Sequence, residues 1–430
     1  MPYTPVDAIE VRAWDQRVGA LAQDPRTGAY AFEYDPAWKA GGIELAPTTM
    51  PLAGRRVFSF PNLPRDTYHR LPAIIADALP DAFGRSVLDA QLAREGVRPD
   101  QITPLDRLAY LASRGMGALE FRPARGPRTT KPSAVRISDL VQAARAAVDG
   151  TFDGDDETRA ALTQLIAVGT SAGGARAKAV IAWNRTTDEI HSGQLPAEPG
   201  FEQWLMKLDG TGDDGGFEPT SNWGRVEYAY HLMAVAAGVD MTECTLIEEG
   251  GRAHFATRRF DRDGVERIHA STLCAMAELD FRAIGVHDYS QLFQTVDRLD
   301  LGPSARQQVF RRMAFNVAAA NCDDHTKNFA FLLPRGGTWE LAPAYDITHA
   351  HLPGNRWIER HLMSVNGKFE DITIDDLLSV ADRFAVPEAT SGLRDVLAAT
   401  DSWGGFAREA GVPTARIDEV AIDLKTVRPR

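Results

Sequence analysis

Cysteine is scarce in this chain. Cys244, Cys274 and Cys322 are its only three and stand far apart, which excludes a disulfide framework and offers no zinc-ligand spacing. Lysine is also rare: Lys39, Lys131, Lys178, Lys207, Lys327, Lys368 and Lys425 are the only seven among 47 basic residues. No apolar run reaches membrane-spanning length, and the longest, near Leu232–Val239 and Met313–Ala320, read as short helices. The start, Met1-Pro2-Tyr3-Thr4-Pro5-Val6-Asp7, lacks the basic-then-apolar layout of a signal peptide, so the expectation is a cytoplasmic protein with no membrane partner. A net charge of −12 argues against autonomous nucleic-acid binding, which needs a basic surface. There are no repeats or low-complexity segments. At 430 residues the chain is too long for one ordinary core, so two or three subdomains are expected.

What is present centres on Asn321-Cys322-Asp323-Asp324-His325-Thr326-Lys327-Asn328, followed eighteen residues later by Asp346 in Pro343-Ala344-Tyr345-Asp346. An aspartate, an asparagine five positions on and a second aspartate past the next hairpin is the spacing with which protein kinases supply a catalytic base and metal ligands. Phosphoryl transfer needs a carboxylate to deprotonate the acceptor hydroxyl and oxygen ligands to fix magnesium on the phosphates. Asp323 suits the first role, Asn328 and Asp346 the second. The run Phe329–Leu333, then Gly336-Gly337 and Trp339-Glu340-Leu341, reads as a hairpin bringing Asn328 and Asp346 to one end. The bland alternative is a solvated turn, but His325 and Lys327 crowd the same short segment.

Upstream, Ile9–Trp14, Val18–Ala22 and Tyr30–Tyr34 read as a small antiparallel sheet. Gly84–Glu95, with Val87, Leu88 and Leu92 at helical spacing, reads as a helix, as do Thr103–Ser113, Ser138–Asp149 and Thr158–Ile166. Pro123–Pro132 is a linker or boundary signal. Gly169-Thr170-Ser171-Ala172-Gly173-Gly174-Ala175-Arg176-Ala177-Lys178 precedes a strand at Ala179–Trp183. Its small residues let backbone amides approach an anion, or they form an ordinary turn; it is not a Walker A loop. The strand Phe201–Leu208 carries Lys207 near its end, as a kinase places the lysine that grips the α- and β-phosphates, though a strand-end lysine can also be merely solvated. Asp209–Gly216 reads as a surface loop. A helix over Asn222–Gly238 carries Glu227, which either pairs with Lys207 or favours the helix start electrostatically. Thr245–Phe260 reads as a hairpin turning at Gly250-Gly251, running into Asp261-Arg262. Helices are expected afterwards over Leu273–Glu278, Tyr289–Leu299, Ser304–Ala320, Leu377–Phe384 and Gly392–Thr400, the fourth capped at Thr373. Three of the seven lysines, Lys178, Lys207 and Lys327, fall in the segments assigned to phosphate chemistry.

The glycine-rich segment, Arg258-Arg259-Phe260-Asp261-Arg262, the Asp323 segment and Pro343-Ala344-Tyr345-Asp346, in this order, resemble the HipA family of serine/threonine kinase toxins. Ala76-Asp77-Ala78-Leu79-Pro80-Asp81-Ala82-Phe83-Gly84-Arg85, Arg114-Gly115-Met116-Gly117-Ala118-Leu119-Glu120 and Ser364-Val365-Asn366-Gly367-Lys368 are similar to that family too. The resemblance implies an α+β, two-lobed protein-kinase-like fold: an N-terminal subdomain over 1–125, a β-rich nucleotide-binding lobe over 126–262 and an all-helical catalytic lobe over 263–430. It implies ATP and Mg²⁺ as cofactors, Asp323 as base, Asn328 and Asp346 on the metal, and Lys207, Lys178, Ser171, Gly173, Gly174, Arg258, Phe260 and Asn328 around the nucleotide. It also implies autophosphorylation on Ser171, or on neighbouring Thr170, which would expel the loop and shut the enzyme down. Asp324, where other members carry glycine or arginine, is expected to add an anionic side chain beside the acceptor site. The implied partners are a HipB-like helix-turn-helix antitoxin, DNA through that antitoxin, and a protein substrate such as an aminoacyl-tRNA synthetase. Two competing roles are a catalytically silent corepressor of a DNA-binding antitoxin and a small-molecule kinase on the same fold.

Overall fold

A computed structural model of the chain describes residues 3–94, 96–126, 134–148, 177–211 and 222–427. Two compact units emerge, and the chain passes between them more than once. The first comprises Met1–Ser221, Ile247–Ala270 and Leu333–Gly337; the second comprises Asn222–Leu246, Ser271–Leu332 and Thr338–Arg430.

The first unit holds two five-stranded sheets. One contains β1 (Ala8–Ala13), β2 (Gln16–Gln23), β3 (Tyr30–Tyr34), β4 (Val57–Ser59) and β5 (Leu119–Arg122), in the order β4-β3-β2-β1-β5. Alternation along β1 sends Ile9, Val11 and Ala13 to the core face, all with no exposure. The β1–β2 loop is just Trp14-Asp15, both at positive φ (50° and 63°), a geometry whose twist matches that of the flanking strands. Trp14 is held there by stacking on Trp38, with ring centroids 6.2 Å apart, and by an Nε1–H bond of 2.7 Å to the Arg267 carbonyl.

The other sheet contains β6 (Lys178–Asn184), β7 (Glu189–Ser192), β8 (Glu202–Lys207), β9 (Cys244–Glu249) and β10 (Arg252–Arg258), in the order β7-β6-β8-β10-β9. Helices Ala82–Arg94 and Ile137–Val148 cover one of its faces. Val87, Leu88 and Leu92 of the first and Leu140, Val141 and Ala144 of the second pack with Ala179, Ile181, Trp204 and Met206 of the strands. Burying each of the larger side chains contributes about 1.5–3 kcal/mol. The β9–β10 turn is Gly250-Gly251 with both φ positive, as two glycines allow.

The second unit is built on one apolar core. Helix Trp223–Ala236 contributes Val226, Tyr230 and Met233, and Tyr289–Arg298 contributes Leu292 and Phe293. Gly302–Ala318 adds Val309, Phe310 and Met313, Ile374–Arg383 adds Leu377 and Val380, and Ala389–Asp401 adds Leu393 and Val396. Thr373 caps its helix as expected, its Oγ1 accepting from the Asp376 amide while Asp376 accepts from the Thr373 amide. Helices Trp403–Glu409 and Thr414–Val427, which sequence reasoning passed over, close the unit and add Trp403, Ala407, Ile417, Val420 and Leu424 to its core.

Two expectations need correction. The second unit is not all-helical: strand Ala330–Leu333 pairs antiparallel with Glu340–Leu341, and His287–Asp288 pairs parallel with Met363–Ser364. The hairpin is forced by turn residues between apolar runs. The other pair is two residues long on each side, with no pattern to read. Helix Trp223–Ala236, assigned from sequence to the nucleotide-binding lobe, packs its apolar face into the core of the second unit. The expected helix at Thr158–Ile166 and the glycine-rich stretch through Arg176, including Thr170, Ser171, Gly173 and Gly174, lie outside the described residues.

Candidate functional site

Residues 322–325 follow the turn after helix Gly302–Ala318 and lead into the 3-10 turn Thr326–Asn328, and burial alternates along 322–327. Cys322, Asp324 and Thr326 are inside, at 1 %, 1 % and 0 % exposure; Asp323, His325 and Lys327 are on the outer side. Up to His325 this matches the two-residue period of extended chain, and the turn Thr326–Asn328 carries the alternation on to Lys327. The Asp323 side chain keeps 46 % of its surface, and His325 Nε2 lies 3.8 Å from its Oδ1. Lys327 places Nζ 4.9 Å from the centre of the Phe281 ring, which His325 also meets edge-on at 5.4 Å.

The segment is pinned at several points. Cys322 N–H donates to the Ala350 carbonyl and Thr326 Oγ1 to the Leu279 carbonyl, each at 2.8–2.9 Å. Asn328 donates from Nδ2 to the Asp323 carbonyl at 2.7 Å. A carbonyl can only accept, so this bond fixes which way the Asn328 amide points and leaves its Oδ1 as the remaining acceptor. After the hairpin, with Phe331 opposite Leu341, Tyr345 reaches back and donates its hydroxyl to the Lys327 carbonyl at 2.6 Å. Asp346 follows at φ 53°, a left-handed conformation that aspartate tolerates better than most residues. Asn328 and Asp346 therefore sit on either side of one clasp.

Asp324 corrects the sequence expectation. Its carboxylate does not stand beside an acceptor site but is buried and accepts four hydrogen bonds. Tyr289 Oη donates at 2.8 Å, His361 Nδ1 at 2.9 Å, and the amides of Leu362 and Met363 at 2.7 and 3.4 Å. Asn316 donates to Tyr289 Oη at 3.0 Å, and Asn321 to Asn316 Oδ1 at 2.9 Å. Of the two adjacent aspartates, only Asp323 offers its carboxylate outward. Burial, then the carboxylates of Asp324, Asp423 and Asp323, push the Cys322 thiol far above its ordinary range, so it is no nucleophile.

In the first unit, Lys178 and Lys207 are direct partners in the β6–β8 ladder. Their side chains leave the sheet on the same side, an arrangement that repels unless a counter-charge is near. Lys178, only 2 % exposed, has one: Asp81 Oδ2 lies 3.2 Å from its Nζ. Burial raises the Asp81 carboxyl, while Lys178 and the Gly84 amide work against that rise. Lys207 lies opposite Phe255 on its other flank, with Nζ 5.8 Å from the ring centre. Asp81 carried no assigned chemistry in the sequence; its only signal was the motif Leu79-Pro80-Asp81.

Arg258-Arg259-Phe260-Asp261-Arg262 turns out to contain a buried charge cluster. Arg258 is half-exposed and pairs with Glu202 at 3.3 Å. Phe260 sits in the turn that follows β10. Arg259 is bidentate to Asp261 at 2.9 and 2.7 Å, and Arg262 Nη1 and the Gly117 amide each reach Asp261 Oδ2 at 2.7 Å. Arg262 and Arg267 donate in turn to the Gly117 carbonyl, at 3.2 and 2.9 Å. Two motifs that the sequence flagged separately, around Gly117 and around Asp261, are halves of one structure. Burial lowers the Arg262 guanidinium to about 9 despite Asp261 beside it.

As a donor set, Asn328 Oδ1 and the Asp346 carboxylate are hard oxygens. Among the described residues there is no group of three or more His, Cys, Asp or Glu that could enclose a metal. Such a pair suits Mg²⁺, which keeps waters and phosphate oxygens and takes only one or two protein ligands. Among the described residues no helix is long and apolar enough to cross a membrane.

The model of the HipA N-terminal domain matches residues 9–122, and that of the HipA-like C-terminal domain matches residues 170–403. Two curated relatives from Sinorhizobium fredii (strain NBRC 101917 / NGR234) are each 25 % identical. They are named "Putative kinase Y4mE", over 190 residues and 42 % of this chain, and "Putative kinase Y4dM", over 172 residues and 36 % of it. The matched stretch spans 39 % of either relative's length. Among solved structures, HipA of the Shewanella oneidensis MR-1 complex of HipA, HipB and operator DNA superposes with a TM-score of 0.67 and 16 % identity. It covers 97 % of this chain and 95 % of its own, a likeness of fold. With one domain model covering more than half of its residues and a second covering its N-terminal part, the chain belongs to the HipA family.

Proposed function

We propose that this protein is an ATP-dependent serine/threonine protein kinase. The observation that carries the reading is the Asn328 amide locked by the Asp323 carbonyl at 2.7 Å, with Oδ1 left over and the Asp323 carboxylate outward. That arrangement holds a base and a metal ligand in fixed relation on one five-residue stretch. Asp323 accepts the proton of the acceptor hydroxyl as its oxygen attacks the γ-phosphorus, and the β–γ bridging oxygen leaves with ADP. Asn328 and Asp346 would hold Mg²⁺, which neutralises charge on the phosphates. Lys207 grips phosphate oxygens. Lys178, held by Asp81 at 3.2 Å, stiffens the strand that follows the glycine-rich segment and completes that grip. Backbone groups of 258–260 receive the adenine, and Gly173 and Gly174 line the phosphates.

We further propose self-inactivation by phosphorylation of Ser171, or of Thr170 beside it, and neutralisation by a HipB-like antitoxin. The antitoxin reading is supported by the Shewanella complex, in which HipA is joined with HipB and operator DNA. The substrate is a host protein, and an aminoacyl-tRNA synthetase is the candidate the family suggests.

Incubating the protein with labelled ATP and magnesium tests the reading. Wild type should transfer label to protein, and Asp323→Ala should not. Equal behaviour of the two would remove the enzyme and favour the silent corepressor; label ending on a metabolite in lysate would redirect it to a small-molecule kinase.

A further inference from the structure

We infer that Asp324 is a positioning residue for the reaction at Asp323, an inference that rests on the kinase reading above. Along 322–327 inward and outward residues alternate, so whatever fixes the inward set fixes the outward one. Among the described residues, Thr326 is held by a hydroxyl bond to the Leu279 carbonyl and Cys322 by its backbone bond to Ala350. Asp324 carries the strongest anchor. Its Oδ1 takes the backbone amides of Leu362 and Met363, and its Oδ2 takes Tyr289 Oη and His361 Nδ1. The donors come from helix Tyr289–Arg298 and from the stretch around Met363–Ser364, which is itself tied to His287–Asp288 by strand pairing.

A carboxylate taken wholly out of water is costly unless it is fully satisfied. An apolar residue would fill the same space without that demand, so burial alone does not call for an acid here. What the acid adds is direction. Backbone amides cannot reverse their polarity, so Oδ1 has one allowed placement, and the plane of the carboxylate then sets the local backbone. One residue earlier, that backbone aims Asp323 outward, and through the Asp323 carbonyl it sets the amide of Asn328. A slip of this segment by one residue would bury Asp323 and expose Asp324. The Asp324 network makes that alternative expensive.

Asn at 324 keeps the shape but must put its NH₂ at the Oδ2 place, where Tyr289 and His361 donate. Tyr289 can turn its hydroxyl and His361 can shift its tautomer to accept. Asp324→Asn is therefore the conservative variant and Asp324→Ala the severe one, while Tyr289→Phe removes a single anchor.

The test uses the full chain, labelled ATP with magnesium, and initial rates across ATP concentrations for wild type and these three variants. Val396→Ala, on helix Ala389–Asp401 in the core of the second unit, is the stability control. Asp324→Ala should lower kcat about a hundredfold, the scale of a base misplaced by an ångström, with KM for ATP within about twofold. Asp324→Asn and Tyr289→Phe should lie between it and wild type, and Val396→Ala should lower the melting temperature while keeping kcat. If Asp324→Ala does not fold, the other two variants carry the test. Label on wild type with kcat unchanged in the Asp324 and Tyr289 variants, or reduced no more than the control, overturns this inference alone. No label on wild type overturns the kinase reading and this inference with it.

Discussion

Replacing Asp261 with alanine should destabilise the first unit more than any other single substitution at a charged residue described above. The side chain is completely buried and accepts four hydrogen bonds, from Arg259 Nε and Nη2, Arg262 Nη1 and the Gly117 amide. Truncation leaves two guanidiniums facing each other without their counter-ion, and breaking a buried pair from one side costs about 3–5 kcal/mol. A domain holds only about 5–15 kcal/mol in total. Asp261→Asn keeps part of the bonding and should lose less, about 1.5–3 kcal/mol, the scale of a charged hydrogen bond. Acid should reveal the same group. Burial would raise the Asp261 carboxyl, but Arg259, Arg262 and the Gly117 amide outweigh it and hold the group well below the usual carboxylate range. A depressed folded-state value means that the stabilisation is fully present above the unfolded value of about 3.9 and is lost as pH falls below it. Urea unfolding followed by tryptophan fluorescence is the assay, because Trp14 is bonded to the Arg267 carbonyl beside the cluster. Wild type and Asp261→Asn should differ most near neutral pH and converge in strong acid. A midpoint for Asp261→Ala within about 0.5 kcal/mol of wild type would refute the reasoning.

Other outcomes follow from the same structure. Asp323→Asn should lose about 10²–10⁴ in phosphotransfer rate with an unchanged melting temperature, since its side chain is half-exposed; a comparable fall in melting temperature would count against its role as base. Asn328→Ala should raise the magnesium concentration needed for half-maximal transfer, seen in a titration at fixed ATP. Thr373→Ala, which removes a capping-box hydroxyl, should cost about 1 kcal/mol in urea unfolding and leave transfer intact. Gly117→Ala should be poorly tolerated, because φ there is 72° and a Cβ would come 2.9 Å from the Ala270 amide nitrogen; thermal melts would register it.

Much of the architecture could be read in advance because it is local. Val87, Leu88 and Leu92 announce a helix at helical spacing, Gly250-Gly251 announces a tight turn, and Phe329–Leu333 with Trp339–Leu341 announces a hairpin; each appears where expected. What escaped depends on partners distant in sequence. Asp324 looked like a surface acid because its hydrogen-bond donors lie 35–39 residues away, and nothing within a window of ten signals them. Asp261 and Gly117 are 144 residues apart, and the pairing of His287 with Met363 spans two residues on each side, too few for a pattern. Lys178 and Lys207 stood out for their rarity, but their adjacency is a property of strand register. The sequence also suggested one uninterrupted run for each lobe. Each unit instead draws on separate stretches of chain, and helix Trp223–Ala236 falls in the second because Val226, Tyr230 and Met233 join that core.

The ladder that sets Lys178 against Lys207 also limits how this protein can vary. Deleting or inserting one residue within Ala179–Trp183 would reverse every side chain on that strand, driving an ammonium toward Trp204 and Met206 and pulling Ala179 and Ile181 out of their packing. Length changes in this region should therefore accumulate in the turn over 185–188, leaving the count from the first lysine to that turn invariant. A library of single-codon deletions tiled across 178–207 would trace that boundary directly.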